Sequence, residues 1–309
     1  MSGFSVTFSN VLLTLLYLLP GFLLCRFRRV RAEHLSIVST ILLYICGPCI
    51  FLNSLISLDP SPGLTGRMLL FLLVSFTAEL LMLLLLYALS GKRRGEFRWR
   101  MLAIAGVSGN VTFFGLPIVS ALFPGEPEAA VFSCMFCVSL NILAWTVGVF
   151  TLTGDRGHIS FRTAFLNPTV VTVAAGFILY LLRAGSWMPE LVKGGIRSVA
   201  GMSTPLCLMI LGIRLATMNL KELFTRPFVY IIAAAKLVVF PLFCYALVYF
   251  LPVPPVFRGS MLILGATPCA SVILNLAEMH HNGQRLAASC ALLSTLLSLL
   301  TIPLLSLLL

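Results

Sequence analysis

Gly109-Asn110-Val111-Thr112-Phe113-Phe114-Gly115-Leu116-Pro117 places helix breakers and an amide inside a segment otherwise apolar enough to cross a bilayer. Pro117 has no N–H and its ring crowds the preceding turn, while Gly115 removes a side chain, so the stretch predicts a helix interrupted at mid-membrane. Lipid cannot satisfy the freed backbone groups. Unwound chain at that depth survives only where protein buries it or where it lines a wet cavity, which makes the break a candidate ligand site. Taken alone, the stretch also fits a simple proline kink. A second interruption, Gly265-Ala266-Thr267-Pro268-Cys269-Ala270-Ser271, follows about 150 residues later in another apolar segment, and paired broken spans point to a transporter built from inverted repeats.

Composition agrees with a membrane protein. Of 309 residues, 59% are hydrophobic and 10% charged, against about 45–50% and 25% in soluble domains. The net charge of +11 comes from short cationic clusters between apolar runs, which read as topology signals rather than as a nucleic-acid surface. Nine cysteines lie mostly in apolar runs, where they act as small hydrophobes. Cys46-Gly47-Pro48-Cys49 copies a redox motif but sits inside a spanning segment, and Cys134 and Cys137 lack the further ligands of a zinc site. No metal site and no cofactor are expected.

At about twenty apolar residues per crossing, ten spans are expected. They cover roughly 5–25, 35–58, 68–90, 101–124, 126–153, 163–182, 198–218, 227–251, 258–279 and 286–309. Fourteen Lys and Arg fall on the side holding the first, third, fifth, seventh and ninth connections, and five on the other. Cytoplasmic loops are enriched in these residues, so both termini are expected outside or in the periplasm. Arg183, Lys193 and Arg197 are a local violation. Five spans per half give the halves, 1–153 and 154–309, opposite orientations. Pro48 and Pro117 in the first half are answered by Pro205 and Pro268 in the second.

The chain resembles the auxin efflux carrier family, which includes plant auxin carriers and bacterial malonate and malate permeases. The likeness runs along its whole length. It is most specific in Gly109-Asn110 with Gly115-Leu116-Pro117, in Lys236-Leu237-Val238-Val239-Phe240-Pro241, and in Ala266-Thr267-Pro268 with Leu293-Ser294-Thr295-Leu296-Leu297-Ser298. The resemblance implies an all-α membrane protein with ten transmembrane helices in two inverted five-helix repeats, like sodium/proton antiporters and bile-acid symporters. Helices four and nine would cross at their prolines. Spans 1, 2, 6 and 7 would form a scaffold, through which two copies could dimerise, and spans 3–5 and 8–10 a mobile transport domain. An elevator-like motion would carry a small organic carboxylate across the inner or plasma membrane. The long loop of plant carriers between spans five and six is absent, and Cys269 and Asn275 depart from the plant pattern.

Transport of a carboxylate requires a replacement for its hydration shell. Helix N-termini supply unpaired N–H groups and partial positive charge without burying a full cation. By resemblance Asn110 is the substrate-contacting asparagine, and its amide can both donate and accept. Gly115, Pro117 and Pro268 shape the two breaks. Asn141, Thr267, Cys269, Ser271 and Asn275 complete the candidate substrate site, with helix packing the competing reading for Asn275 and self-bonding for the hydroxyls. Glu79 and Lys236 occupy equivalent spans, so either a neutralising pair or a role in proton coupling follows. Arg214 is an anion attractor or a membrane anchor. His280 and His281, adjacent on a helix, face different sides and do not suggest a metal.

Two other classes compete. A cation or proton antiporter of similar fold would want deep carboxylates, and only Glu79 is deep. A membrane enzyme or receptor would want clustered catalytic groups or a soluble domain, and the sequence has neither.

Overall fold

Prolines and the turns before them set the shape of this fold. In the computed structural model, which describes residues 3–155, 160–218, 220–279 and 282–309, the chain is helical, with no strand among the described residues. Among the described residues, seven helices are long and apolar enough to cross a membrane. These are α1 (Gly3–Arg26), α2 (Leu35–Ile56), α3 (Pro62–Leu89), α6 (Glu128–Thr153), α8 (Glu190–Thr217), α9 (Pro227–Tyr249) and α12 (Gln284–Leu308). Between them lie α4 (Phe97–Ala105), α5 (Val111–Leu122), α7 (Pro168–Leu181), α10 (Pro255–Gly265) and α11 (Val272–Met279). The fourth and ninth expected spans thus each appear as two short helices, α4 with α5 and α10 with α11.

Three prolines are absorbed without a break. One π-helical turn ends two residues before each: Leu42–Cys46 before Pro48, Val111–Gly115 before Pro117, and Ala235–Val239 before Pro241. A proline ring collides with the carbonyl four residues back, and an extra residue in the preceding turn moves that carbonyl aside. Pro117 is therefore not where the fourth segment breaks. The chain leaves the helix earlier, at residues 106–110, and Pro117 lies within α5. Pro268, with no such turn before it, does lie in the unwound stretch between α10 and α11.

Helix ends follow the sequence signals. Ser61 accepts from the Leu64 N–H with Pro62 in the first turn of α3, and Asn167 does the same for Val170 at the start of α7. Lys193 and Arg197, which disturb the charge asymmetry, lie in the first turns of α8 and pair with Glu190 at 3.0 and 3.8 Å.

The most enclosed long helix is α6, with 72% of its most apolar window buried, against 22% for α1. Around α6, rings from four helices meet. Phe71 stacks on Phe132 at 4.5 Å and meets Phe257 edge-on at 4.7 Å, while Phe136 meets Phe240 at 6.4 Å. This cluster ties α3, α6, α9 and α10 together. A second group forms where α2 packs on α7 and α8, and α8 on the second half of α1. There Gly21 and Gly212 let two backbones touch: a Cβ on Gly21 would meet the Met209 carbonyl, and one on Gly212 the Leu18 carbonyl. Close approach through small residues is how helices associate where lipid offers no hydrophobic drive. The outward leucines, such as Leu13, Leu19, Leu73 and Leu84, are exposed as a lipid-facing surface requires.

Candidate functional site

The two unwound stretches meet. Residues 108–110 and 268–270 run antiparallel, with Gly109 opposite Cys269. The Asn110 N–H donates to the Pro268 carbonyl at 2.8 Å, and the Ala270 N–H to the Ser108 carbonyl at 3.0 Å. Each break thereby satisfies part of the other's backbone, as a buried, non-helical chain must. Gly109 is required by the closeness: a Cβ there would strike the Thr267 hydroxyl and crowd the Lys236 ammonium. The Cys269 N–H is met by Ser294 Oγ at 2.9 Å, and the Cys269 thiol by the Ala105 carbonyl at 3.5 Å.

Beyond the pairing, both following helices begin with open donors. The Asn110 carbonyl accepts from Phe114 and Gly115, and the Ala270 and Ser271 carbonyls from Ile273 and Leu274. The amides of Val111, Thr112 and Phe113, and of Ser271 and Val272, have no backbone acceptor among the described residues. All five residues line one cavity of 760 Å³. Its walls also include Asn110, Cys137, Asn141 and the aromatic rings of Tyr44, Phe51, Phe113 and Trp145. A narrow second space of 50 Å³ reaches Asn110, Cys269 and Ser271 from another direction, past Cys207 and Arg214.

Of the residues predicted from sequence, Asn110, Asn141 and Ser271 come together on the wide cavity, and Cys269 and Arg214 on the narrow one. Asn110 is 9% exposed, and among the described residues its side-chain amide reaches only the Cys207 sulfur, at 3.6 Å. Asn141 turns its amide N–H back to the Cys137 carbonyl at 2.8 Å. Gly115, Pro117, Thr267 and Pro268 line neither space. The Thr267 hydroxyl donates to the Leu264 carbonyl near the end of α10, and Gly115 packs against Leu264 and Thr267. Pro268 contributes its carbonyl. Asn275 is on α11, but its side chain, like His280 and His281, lies outside the described residues. Arg214 stands 3.5 Å from Glu278.

Glu79 and Lys236 are both fully buried, yet they do not form an ion pair. The Lys236 ammonium donates to the Gly265 carbonyl, the last of α10, and lies 4.7 Å from the centre of the Phe240 ring. Among the described residues, neither Glu79 oxygen has a hydrogen-bond partner. Equivalent spans placed the two groups in one region, but the carbonyl freed at the second break captured the cation. Lys236→Met is accordingly expected to lower thermal stability in detergent by about 1–3 kcal/mol, the cost of an unmet buried acceptor. Glu79→Gln is expected to cost less than that, and a melting temperature more sensitive to Glu79→Gln than to Lys236→Met would contradict the assignment.

Sequence reasoning missed Arg162, Trp145 and Cys207. Arg162 carried a signal, being a cation between two apolar spans, but it was absorbed into the loop count. Trp145 and Cys207 carried none.

Comparison with known proteins identifies the family. The family described as membrane transport protein matches residues 6–306. An uncharacterized transporter from Methanocaldococcus jannaschii is 25% identical over 300 residues, 95% of this chain and 96% of that one. Another, from Methanothermobacter thermautotrophicus, is 25% identical over 309 residues, 96% of each. With a family match spanning nearly every residue and relatives aligned end to end, the chain is a multi-pass membrane protein that belongs to the membrane transport protein family, the auxin efflux carrier group.

Proposed function

We propose that this protein is a secondary carrier of small organic carboxylate anions, with the substrate held where the two broken segments meet. The observation that carries the reading is the set of open amides at Val111, Thr112, Phe113, Ser271 and Val272, which share one cavity with the Asn110 side chain. Partial positive charge from two helix starts compensates an anion without the cost of a deep cation. Glu79, the most buried carboxylate among the described residues, lies on α3 and lines neither space.

In this reading α4 with α5, and α10 with α11, each make one crossing. Alone, the 12 residues of α5 span about 18 Å, short of a hydrocarbon core of about 30 Å. Ten crossings follow, in inverted halves 1–153 and 154–309 whose fourth and ninth members cross. The phenylalanine cluster supports a transport unit from the third to fifth and eighth to tenth spans, and the glycine contacts of α1, α2, α7 and α8 support a scaffold. Sliding of one group past the other would expose the site to each side in turn. In this reading both termini lie outside, which the cation distribution supports, and the wide cavity, rimmed by the link into α7, opens to the cytoplasm of a cell inner or plasma membrane. A proton-coupled version is a second reading, favoured by the unpartnered Glu79 carboxyl.

Uptake of labelled malonate, malate and an aromatic acid into vesicles holding the purified protein tests the carrier reading. Accumulation of at least one above protein-free vesicles is expected. Failure of all three would overturn it.

A further inference from the structure

The two spaces that converge on Asn110 and Ser271 differ in charge. The narrow one carries Arg214, and Glu278 lies 3.5 Å away to offset it. Among the described residues, the wide one is lined by a single cation, Arg162, and by no Asp, Glu, Lys or His.

Arg162 belongs to the short helix Phe161–Phe165, which two caps fix in place. Ser160 Oγ accepts from the Thr163 N–H at 3.1 Å on one side. On the other, Asn167 donates to the Ala164 carbonyl at 2.7 Å and accepts from Val170 at 3.0 Å. The backbone under Arg162 is thus held between two anchored ends. Its guanidinium makes no hydrogen bond or ion pair with a described residue, although Arg67, Arg98, Lys193 and Arg214 all find carboxylates. An exposed guanidinium keeps its charge and offers a planar fork of donors that matches a carboxylate. Apolar walls such as Phe51, Phe113 and Trp145 confine the field of that one charge to the cavity rather than letting water disperse it.

We propose that Arg162 is the anion-selecting residue of this cavity: it draws a carboxylate in and pairs with it before the open amides and Asn110 take it over. The proposal rests on the carrier reading and adds a residue that the breaks do not contain. Because Arg162 is exposed, the pair it forms is brief and solvated, so its effect falls on capture rather than on the later crossing. A neutral molecule of the same shape gains nothing from it.

The test is uptake of labelled malonate, malate and indole-3-acetate by reconstituted wild type, Arg162→Gln, Arg162→Lys and, as a control cation elsewhere, Arg285→Gln. Arg162→Gln is expected to raise KM for the transported anion about tenfold with kcat nearly unchanged, the pattern of lost capture. Its KM should also respond less to salt than that of wild type when ionic strength rises from about 0.01 to 0.15 M. Arg162→Lys should recover most of the loss, and Arg285→Gln should behave as wild type. A transporting wild type whose KM and salt response are unchanged by Arg162→Gln, or are changed equally by Arg285→Gln, overturns the role of Arg162 and leaves the carrier reading intact. A wild type that accumulates none of the three overturns both.

Discussion

Asn110→Ala is expected to remove substrate binding while leaving the protein folded. The reason is a division of labour within one residue. The backbone of Asn110 holds the crossing: its N–H goes to Pro268 and its carbonyl takes both Phe114 and Gly115. Alanine keeps all three bonds. The side chain has only the weak contact with the Cys207 sulfur at 3.6 Å, so its amide is free to meet a ligand in either space. A hydrogen bond to a charged group contributes about 1.5–3 kcal/mol, or about ten- to a hundredfold in affinity, enough to take a weakly held substrate out of a transport assay. Titration of the variant, with its elution on gel filtration as the check on folding, measures this directly. An affinity equal to wild type would remove Asn110 from the site.

Gly212→Leu is expected to prevent assembly of the α1–α8 contact altogether. A Cβ at Gly212 would overlap the Leu18 carbonyl and crowd the Phe22 amide, and the reciprocal Gly21 already faces the Met209 backbone. Side chains can change rotamer to relieve overlap, but these neighbours are main chain in regular helices. The helices would have to separate, losing more than the about 1–3 kcal/mol typical of an overpacked core. Gly66, on α3, has nothing within 4 Å of the corresponding position, so Gly66→Leu serves as the matched control. Yield of monodisperse protein and melting temperature read the difference. A Gly212→Leu variant that melts with wild type would show that the two helices do not touch as described.

Much of the site was legible because breakers are loud in an apolar background. Two glycine- and proline-bearing interruptions located the meeting point, and Asn110 was conspicuous as an amide beside one of them. What escaped was where the chain would yield. Pro117 looked like the breaking residue, but a widened turn over Val111–Gly115 accommodates it, and the extended residues fall before it, around Gly109. No local rule says which proline will find such a turn. The equivalence of their spans offered Lys236 and Glu79 either as a neutralising pair or as a proton-coupling element. The actual acceptor of Lys236 is a carbonyl, Gly265, that exists as a free acceptor only once the second break forms. Where ten spans were expected, seven long apolar helices stand among the described residues, because the stretches expected as the fourth, sixth and ninth spans form shorter helices such as α5, α7 and α10. Arg162 was hidden for a different reason: a cation between spans is read first as topology, and only the shape of the cavity shows it lining the same space as Asn110.

The central claim is that peptide groups released at two paired breaks, together with Asn110, replace water around a carboxylate. A structure determined with bound malonate, or with whatever carboxylate the uptake assay selects, tests it most directly. The account predicts density for the anion against the amides of residues 111–113 and 271–272 and the Asn110 side chain. An anion seated elsewhere, with those amides still open to solvent, would contradict it.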